Sequence, residues 1–355
     1  AWRAFWNSGG AEDFSDCTDP RAKELERRTV LSQYLTKIQC AGSLSPAETG
    51  LTYNSWYGKF HLEMHWWHGA HFPVWNRSHY LEEQMKYYSK IYNEAKETAS
   101  IQGFKGIRWP KMVGPAGKES PSGVGVYLIW PQPHMIYFAE QLYQAHPTRE
   151  TLNKYKDLVF ATADFMADFA VYDPENDTYN LLPPLIPAQE HWPGETTTNP
   201  PFELTYWHWG LKTAQKWRKR LNQPIDSSWI KVKNKLAAPD HNQEVYFGIE
   251  GATDSYTNPE YMRDHPMVLG SCGILPQWDK INKDKMENTL DTIMKKWNWP
   301  STWGWDYPMT AMCATRLGRP KTAIKALLMD VQKNTYLKNG HNYQSDRLRI
   351  YLPGN

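Results

Sequence analysis

Cysteine is scarce in this 355-residue chain: Cys17, Cys40, Cys272 and Cys313 are all there is. Four thiols so scattered make no disulfide scaffold, and no C-x-x-C pair points to a zinc ribbon. A surplus of one charge is also missing. Forty Lys plus Arg stand against thirty-eight Asp plus Glu, a formal charge of +2. That balance argues against the basic stripe that nucleic acid or an anionic membrane requires, so neither is expected as a partner. No apolar run approaches the roughly eighteen residues of a membrane span, and the chain reads as soluble. There is no G-x-S-x-G elbow, P-loop or Rossmann glycine fingerprint, and Gly123-Val-Gly125 is too slight to count. Phenylalanine is underused, at eleven residues against eighteen Trp and twenty-one Tyr.

That inverted aromatic ratio is the first positive signal. Trp and Tyr join a large apolar face to a polar edge, which suits both the C–H faces and the hydroxyls of a sugar. A large core built with Trp explains the same composition. The chain opens AWRAFWNSGGAEDF, without an initiator Met or a signal-peptide apolar region, and stops at YLPGN. Those ends read as a piece of a longer chain, a single catalytic domain over 1–355.

The periodicity is helical almost throughout. Helices are predicted over 20–41, 56–75, 78–101, 133–145, 149–172, 201–221, 266–276, 283–297, 307–317 and 320–333. Strand-like alternation is nearly absent, and 244–250 is the best candidate. Segments 56–75, 133–145, 201–210 and 307–317 are apolar and aromatic, whereas 20–41, 78–101, 149–172 and 283–297 are amphipathic with a charged face. Buried helices alternating with amphipathic ones predict two concentric layers. The expected fold is therefore an all-α (α/α)6 toroid of helical hairpins, one or two helices short and so truncated at the C-terminal end. Long loops at 42–55, 102–130, 173–200, 237–265 and 298–306 precede the inner helices and should gather at one mouth.

Four segments carry chemistry-bearing residues. In NSWYGKFHLEMHWWHGAH (54–71), a continuous helix would hold His61, His65 and His68 within about 60° of one another. Three imidazoles on one face suit zinc, yet Glu63 points elsewhere and the string is not H-E-x-x-H. Hydrogen-bonded core histidines are the plain alternative. The preferred reading is a polar binding floor in which Lys59, Glu63 and His65 meet sugar hydroxyls beside Trp66 and Trp67, with no metal and no cofactor. Trp130-Pro-Gln132-Pro-His134 opens an inner helix with groups suited to hydroxyls, or simply caps it.

The third segment runs from Pro183 to Glu203. Glu190 sits on a proline-stiffened loop beside Trp192, where an apolar wall would keep a carboxyl protonated for general-acid work. Glu195 reads as an ordinary solvated carboxylate, and Asn199 as the cap of the next helix. In the fourth segment, Asp306 lies between Trp305 and Tyr307 at a helix entrance, as an N-cap or as a base on water. Glu250 is a further carboxylate between glycines.

The order of these segments resembles the six-hairpin glycosidases, in particular glycoside hydrolase family 65, with echoes of the family 95 α-fucosidases. PAQEHWPGETTTNPPFELTYWHWGL is similar to the family 65 segment that carries the general acid, which the resemblance places on Glu190. FHLEMHWWHGAHFPVW is similar to the sugar-lining segments of both families, which supports Glu63, His65 and Trp67 as binding residues. Family 65 phosphorylases carry a His-Ser-rich phosphate segment about where this chain reads TWGWDYP, which favours hydrolysis. Family 95 places its base in an I-D-G-N context, and YLPGN offers no carboxylate there. Asp306 is then the expected base, with a base beyond residue 355 as the rival. The resemblance also implies an N-terminal β-sandwich in the parent chain as a partner domain.

The expectation is an inverting glycosidase acting on an α-linked substrate. Glu190 would be the acid and Asp306 the base, Trp67, Trp192 and Trp305 would wall in the sugar, and Lys59, Glu63, His65, Gln132 and His134 would hold its hydroxyls. A polysaccharide lyase using Tyr57 with His61 or His65, and non-catalytic carbohydrate binding, are the alternatives. The basic residues near the expected mouth, Lys59, Lys105, Arg108 and Lys111, are few for an acidic polysaccharide. Secretion or a periplasmic location follows from the substrate class alone.

Overall fold

The computed structural model describes residues 2–48, 58–337, 342–345 and 352–354. Helices α1 (Trp2–Asn7) and α2 (Ala22–Cys40) lead to a short strand, β1 (Phe60–His61), and then to α3 (His65–Gly69) and α4 (His71–Val74). Next come α5 (Ser78–Lys90), α6 (Tyr92–Ile101), β2 (Met112–Val113), α7 (His134–Ala145) and α8 (Arg149–Phe169). A hairpin of β3 (Val171–Asp173) and β4 (Thr178–Asn180) precedes α9 (Pro201–Arg220) and α10 (Ser227–Lys235). The remaining elements are α11 (Gly270–Gly273), α12 (Lys283–Lys296), α13 (Asp306–Arg316), α14 (Pro320–Leu327), β5 (Asn342–Ser345) and β6 (Leu352–Gly354).

Packing sorts the helices into two layers. Along the inner layer α4 meets α7, α7 meets α9, α9 meets α11, and α11 meets α13. Helices α5, α8, α10, α12 and α14 lie outside and pack on their inner neighbours. Burial follows the same division. The first turns of α9 are buried without a break from Pro201 to Trp207. On α12 only Met286, Thr289, Leu290 and Ile293 are buried, a stripe spaced three, one and three residues apart. That is the spacing of one helix face on a core. The chain is thus an all-α (α/α)6 toroid, as the alternation predicted.

The local expectations fare unevenly. Residues 56–75 do not form one buried helix. β1 pairs antiparallel with β2, His61 opposite Met112, and the helical turns begin only at His65. Residue Gly58 has φ +64, a conformation that ends helical propagation. The helix predicted over 78–101 is interrupted at Ile91, whose backbone leaves the helical region. Segment 266–276 is a short 3-10 turn at Met267–Leu269 followed by the four-residue α11. Residues 244–250 form no strand. Tyr246 pairs only with His241 in an isolated bridge, and its N–H donates to Thr289 Oγ1 at 3.0 Å. Among the described residues no helix is long and apolar enough to cross a membrane.

Two glycines separate steric from conformational cost. Gly103 and Gly106 both have positive φ, +83 and +72. A Cβ on Gly103 meets nothing within 4 Å, whereas on Gly106 it would lie 2.1 Å from the Ala161 carbonyl oxygen. Gly103→Ala should cost about 1–2 kcal/mol for the left-handed backbone alone. Gly106→Ala should cost about 1–3 kcal/mol more, because backbone must move to admit the methyl. Urea unfolding of both variants checks this, and equal losses would refute it.

Candidate functional site

The carboxylate anticipated as an acid, Glu190, stands on the loop between β4 and α9. This loop is fastened at consecutive residues. Ala188 donates its N–H to Glu203 Oε1 at 2.6 Å, from the first turn of α9. The Gln189 amide donates to the carbonyls of Tyr261 and Arg263, at 2.8 and 3.1 Å, and accepts from Trp192 Nε1 at 3.0 Å. The Glu190 N–H donates to Asp264 Oδ2 at 3.2 Å. Its backbone is therefore immobilised while its side chain keeps partial exposure, 29 %.

On the other side of Glu190 lies Lys111, whose ammonium is 2.5 Å from Glu190 Oε1 and 3.7 Å from Glu63 Oε1. The two-strand ribbon explains the meeting. Lys111 directly precedes β2, its carbonyl accepts from Leu62 N at 2.7 Å, and Glu63 follows one residue later. Glu63 is 3 % exposed, and its Oε2 has no hydrogen-bond partner among the described residues. Burial raises its carboxyl well above the ordinary range, against the opposing pull of Lys111, and the charges of Glu48 and Glu190 push the same way as burial. Lys111 is held protonated: the surrounding Glu63 and Glu190 outweigh the burial that opposes its charge.

A second cluster joins the first through Asp264. His265 Nδ1 is 2.9 Å from Asp306 Oδ1, and its Nε2 is 3.5 Å from Asp264 Oδ1. Burial opposes a charged imidazole here, but Asp264 and Asp306 together push His265 up to about 9. The ring of Trp305 stacks on His265 at 3.9 Å, and Trp67 and Trp130 extend the aromatic wall at 5.1 and 6.3 Å from Trp305.

The structure thus brings Glu63, Glu190, Trp67 and Trp305 together with Asp306 nearby, and separates other expected residues from this wall. Asp306 is fully buried, with its oxygens on His265 Nδ1 and Trp303 N, so it cannot face a water in the cleft as the expected base would. Gln132 spends both ends of its amide on the Trp109 backbone. His134 is bonded to Tyr206 Oη and to the Glu63 carbonyl, both at 2.9 Å, and burial pulls it down to about 3. His65 is occupied by Tyr88 and Gln84, so neither it nor His134 has a nitrogen to offer a sugar. Lys59 donates to the Pro121 carbonyl. Trp192 stacks on Tyr261 at 4.1 Å and braces the Glu190 loop through Gln189.

The histidine triplet is not a triplet either. His61 lies in β1 and faces Glu48 Oε2 at 3.1 Å, whereas His65 opens α3, so the imidazoles do not share one helix face. Glu195 is exposed, as read from sequence. Asn199 does not cap α9. Its side chain accepts from Leu181 N and donates to Asn180 and Glu250, tying three loops together. Tyr57, the base of the lyase reading, lies outside the described residues.

Sequence reasoning does not single out Glu203, Asp264 or His265 as site residues, and it reaches Lys111 only as one of four basic residues near the mouth. Only Asp264-His265 carried a usable hint, a charged dipeptide just before the apolar entry to an inner helix. A cavity of about 420 Å³ opens between α2, α3 and α13, with Trp67 and Trp305 in its walls beside His68, His71 and Trp75. Neither Glu190 nor Asp264 lines it.

No family model matches the chain, and no curated protein matches it. A solved structure titled "Putative kojibiose phosphorylase from human microbiome" aligns with a TM-score of 0.70 at 10% sequence identity, over 92% of this chain and 47% of that one. The chain therefore spans about half the length of that structure. At this identity the likeness is one of fold, and it supports the six-hairpin toroid without bearing on the family 95 echoes.

Glu203 supplies a test of the loop anchorage. Burial pushes it up to about 8 from an ordinary 4.5, with the Ala188 N–H opposing. Between those values the folded chain keeps a proton that the unfolded chain has released. The stability this contributes is complete below about pH 4.5 and is lost as the pH rises toward 8. Glu203→Gln keeps the acceptor for Ala188 and removes the titration. Its urea midpoint should fall less steeply between pH 5 and 8 than that of the parent, and parallel profiles would count against the assignment.

Proposed function

We propose that this chain carries the catalytic toroid of an enzyme that cleaves an α-linked glycosidic bond by hydrolysis with inversion, with Glu190 as the general acid. The observation that carries this reading is the setting of Glu190. Its loop is tied down at three successive residues, Ala188, Gln189 and Glu190, and its carboxyl is left partly exposed on the Lys111 ammonium that it shares with Glu63. A proton donor must be held at a fixed position while its side chain remains accessible to the leaving oxygen. The fold likeness to a structure titled as a phosphorylase of kojibiose, an α-linked glucose disaccharide, adds support for an α-glucoside substrate.

Glu63 is given a binding role. Its nearer oxygen and that of Glu190 sit on one ammonium, 3.7 and 2.5 Å away, so they are closer together than the roughly 6.5–9.5 Å that an inverting pair leaves for water. A carboxyl kept neutral by burial is also a poor nucleophile, and a good partner for a sugar hydroxyl. In this reading Trp67 stacks on the ring and Trp305, itself stacked on His265, backs it.

Phosphorolysis is the second reading, favoured by the neighbour's title. Against it stands the charge arrangement. Lys111 faces Glu63 and Glu190, His265 lies between two aspartates, and Lys333 sits in the field of Asp264 and Asp306. Phosphate would compete with carboxylates for each of these cations.

Proton NMR of the protein with α-linked glucose disaccharides, with and without inorganic phosphate, tests the proposal. The expected result is free glucose at a phosphate-independent rate, with the β-anomer of the released unit appearing first. Formation of a sugar 1-phosphate only when phosphate is present would replace hydrolysis by phosphorolysis. Glu190→Gln should lower kcat by about 10²–10⁴-fold with an unchanged thermal midpoint, and undiminished turnover would remove Glu190 from the acid's role.

A further inference from the structure

Asp264 is the most heavily constrained residue in the site. It has φ +60, a backbone conformation that a non-glycine residue holds only where its surroundings impose it. Every polar group it has is engaged. Its N–H donates to Ser301 Oγ at 3.1 Å, and its carbonyl accepts from Trp297 Nε1 at 2.9 Å. Oδ1 accepts from Trp303 Nε1 at 2.7 Å, and Oδ2 from the Glu190 N–H at 3.2 Å. Only 6 % of it is exposed. The tryptophan-rich segment 297–305, whose aromatic character suggests sugar stacking, therefore spends two indole N–H groups on one aspartate.

Behind Asp264 the same contacts continue inward. His265 bridges from Asp264 Oδ1 to Asp306 Oδ1, and Asp306 Oδ2 accepts from Trp303 N at 2.8 Å. Asp306 opens α13, where the exposed N–H groups of the first turn favour a negative charge. Trp305 covers the imidazole face, so the chain of groups is closed to bulk water.

We propose that Asp264, backed by His265 and Asp306, is a positioning residue for the general acid: this buried acid–imidazole–acid chain fixes where the Glu190 loop presents its proton. The inference rests on the reading of Glu190 as the acid. Asp264 does not itself reach the bond being broken, since both of its oxygens are committed to donors in the protein. Its effect passes through the Glu190 N–H. The charged groups around the chain are Glu190 and Lys333, besides its own three members. The imidazolium balances two carboxylates that would otherwise repel each other across a dry interior, and losing its proton would release Asp264 from one side.

The signature of a positioning role is selectivity for the leaving group. A sugar or methanol departs only with a proton from the acid, whereas 2,4-dinitrophenolate departs without one. In Asp264→Asn the new amide nitrogen must face either the Glu190 N–H or the Trp303 indole N–H, donor against donor. The purified protein would be assayed on an α-glucose disaccharide and on the 2,4-dinitrophenyl α-glucoside. Asp264→Asn should lower kcat/KM on the disaccharide by about 10²-fold and on the dinitrophenyl glucoside by less than about threefold. His265→Gln, which keeps a donor but loses the charge, should show the same selectivity to a smaller degree, and should do so even if Asp264→Asn does not fold.

Glu190→Gln serves as the reference. If it is selective while both network variants slow the two substrates equally, the positioning role is overturned and the cluster acts on the fold or on the sugar directly. If Glu190→Gln itself slows both substrates equally, the assignment of the acid fails instead, and the two failures are told apart.

Discussion

Two indole N–H groups, a serine hydroxyl and a backbone amide converge on Asp264, and the site is organised around that convergence. The residue is held in a left-handed backbone conformation that isolated chemistry disfavours by about 1–3 kcal/mol. What holds it are hydrogen bonds from Trp297, Trp303 and Glu190 and one to Ser301. Through these bonds the loop before α9, the loop before α11 and the loop before α13 become one rigid body. Replace the carboxylate by an amide and either the Glu190 N–H or the Trp303 indole loses its acceptor, while the backbone bonds to Trp297 and Ser301 remain.

The toroid makes this convergence possible. Inner helices α9, α11 and α13 begin side by side, so the loops that enter them share one end of the ring. From opposite the β1–β2 ribbon delivers Glu63 and Lys111, placing an ammonium between two carboxylates. The result is a site rich in paired charges: Lys111 with Glu63 and Glu190, His265 with Asp264 and Asp306. Lys111 and His265 are kept charged by the acidic groups around them, while burial pushes Glu63 and Glu203 toward neutrality.

Much of the polar chemistry expected to touch a ligand is instead internal. Gln132, His134 and His65 looked like hydroxyl partners because amide and imidazole groups beside Trp suit sugars. In the fold each lies on a buried inner element, where an unpaired polar group is costly, and each finds a protein partner. Asp306 shares that fate. The same accounting leaves Glu63 Oε2 without a partner among the described residues and the Glu190 carboxyl partly exposed against Lys111.

The sequence by itself determined the layered helical architecture, because alternation between all-round apolar and one-faced helices is a statement about burial, written every few residues. It also offered Glu190 as a candidate, since prolines and a neighbouring Trp are local signals. It misjudged 56–75, where the choice between helix and ribbon depends on pairing with Met112 and Val113, some fifty residues away. Only the tertiary structure decided which carboxylates meet. Lys111 and Glu190 are 79 positions apart, Glu190 and Asp264 are 74, and Trp303 and Asp264 are 39. Hydrogen bonds act over about 3 Å and carry no trace in local periodicity, so the partner that turns an aspartate into a base, a cap or an anchor is set by the fold.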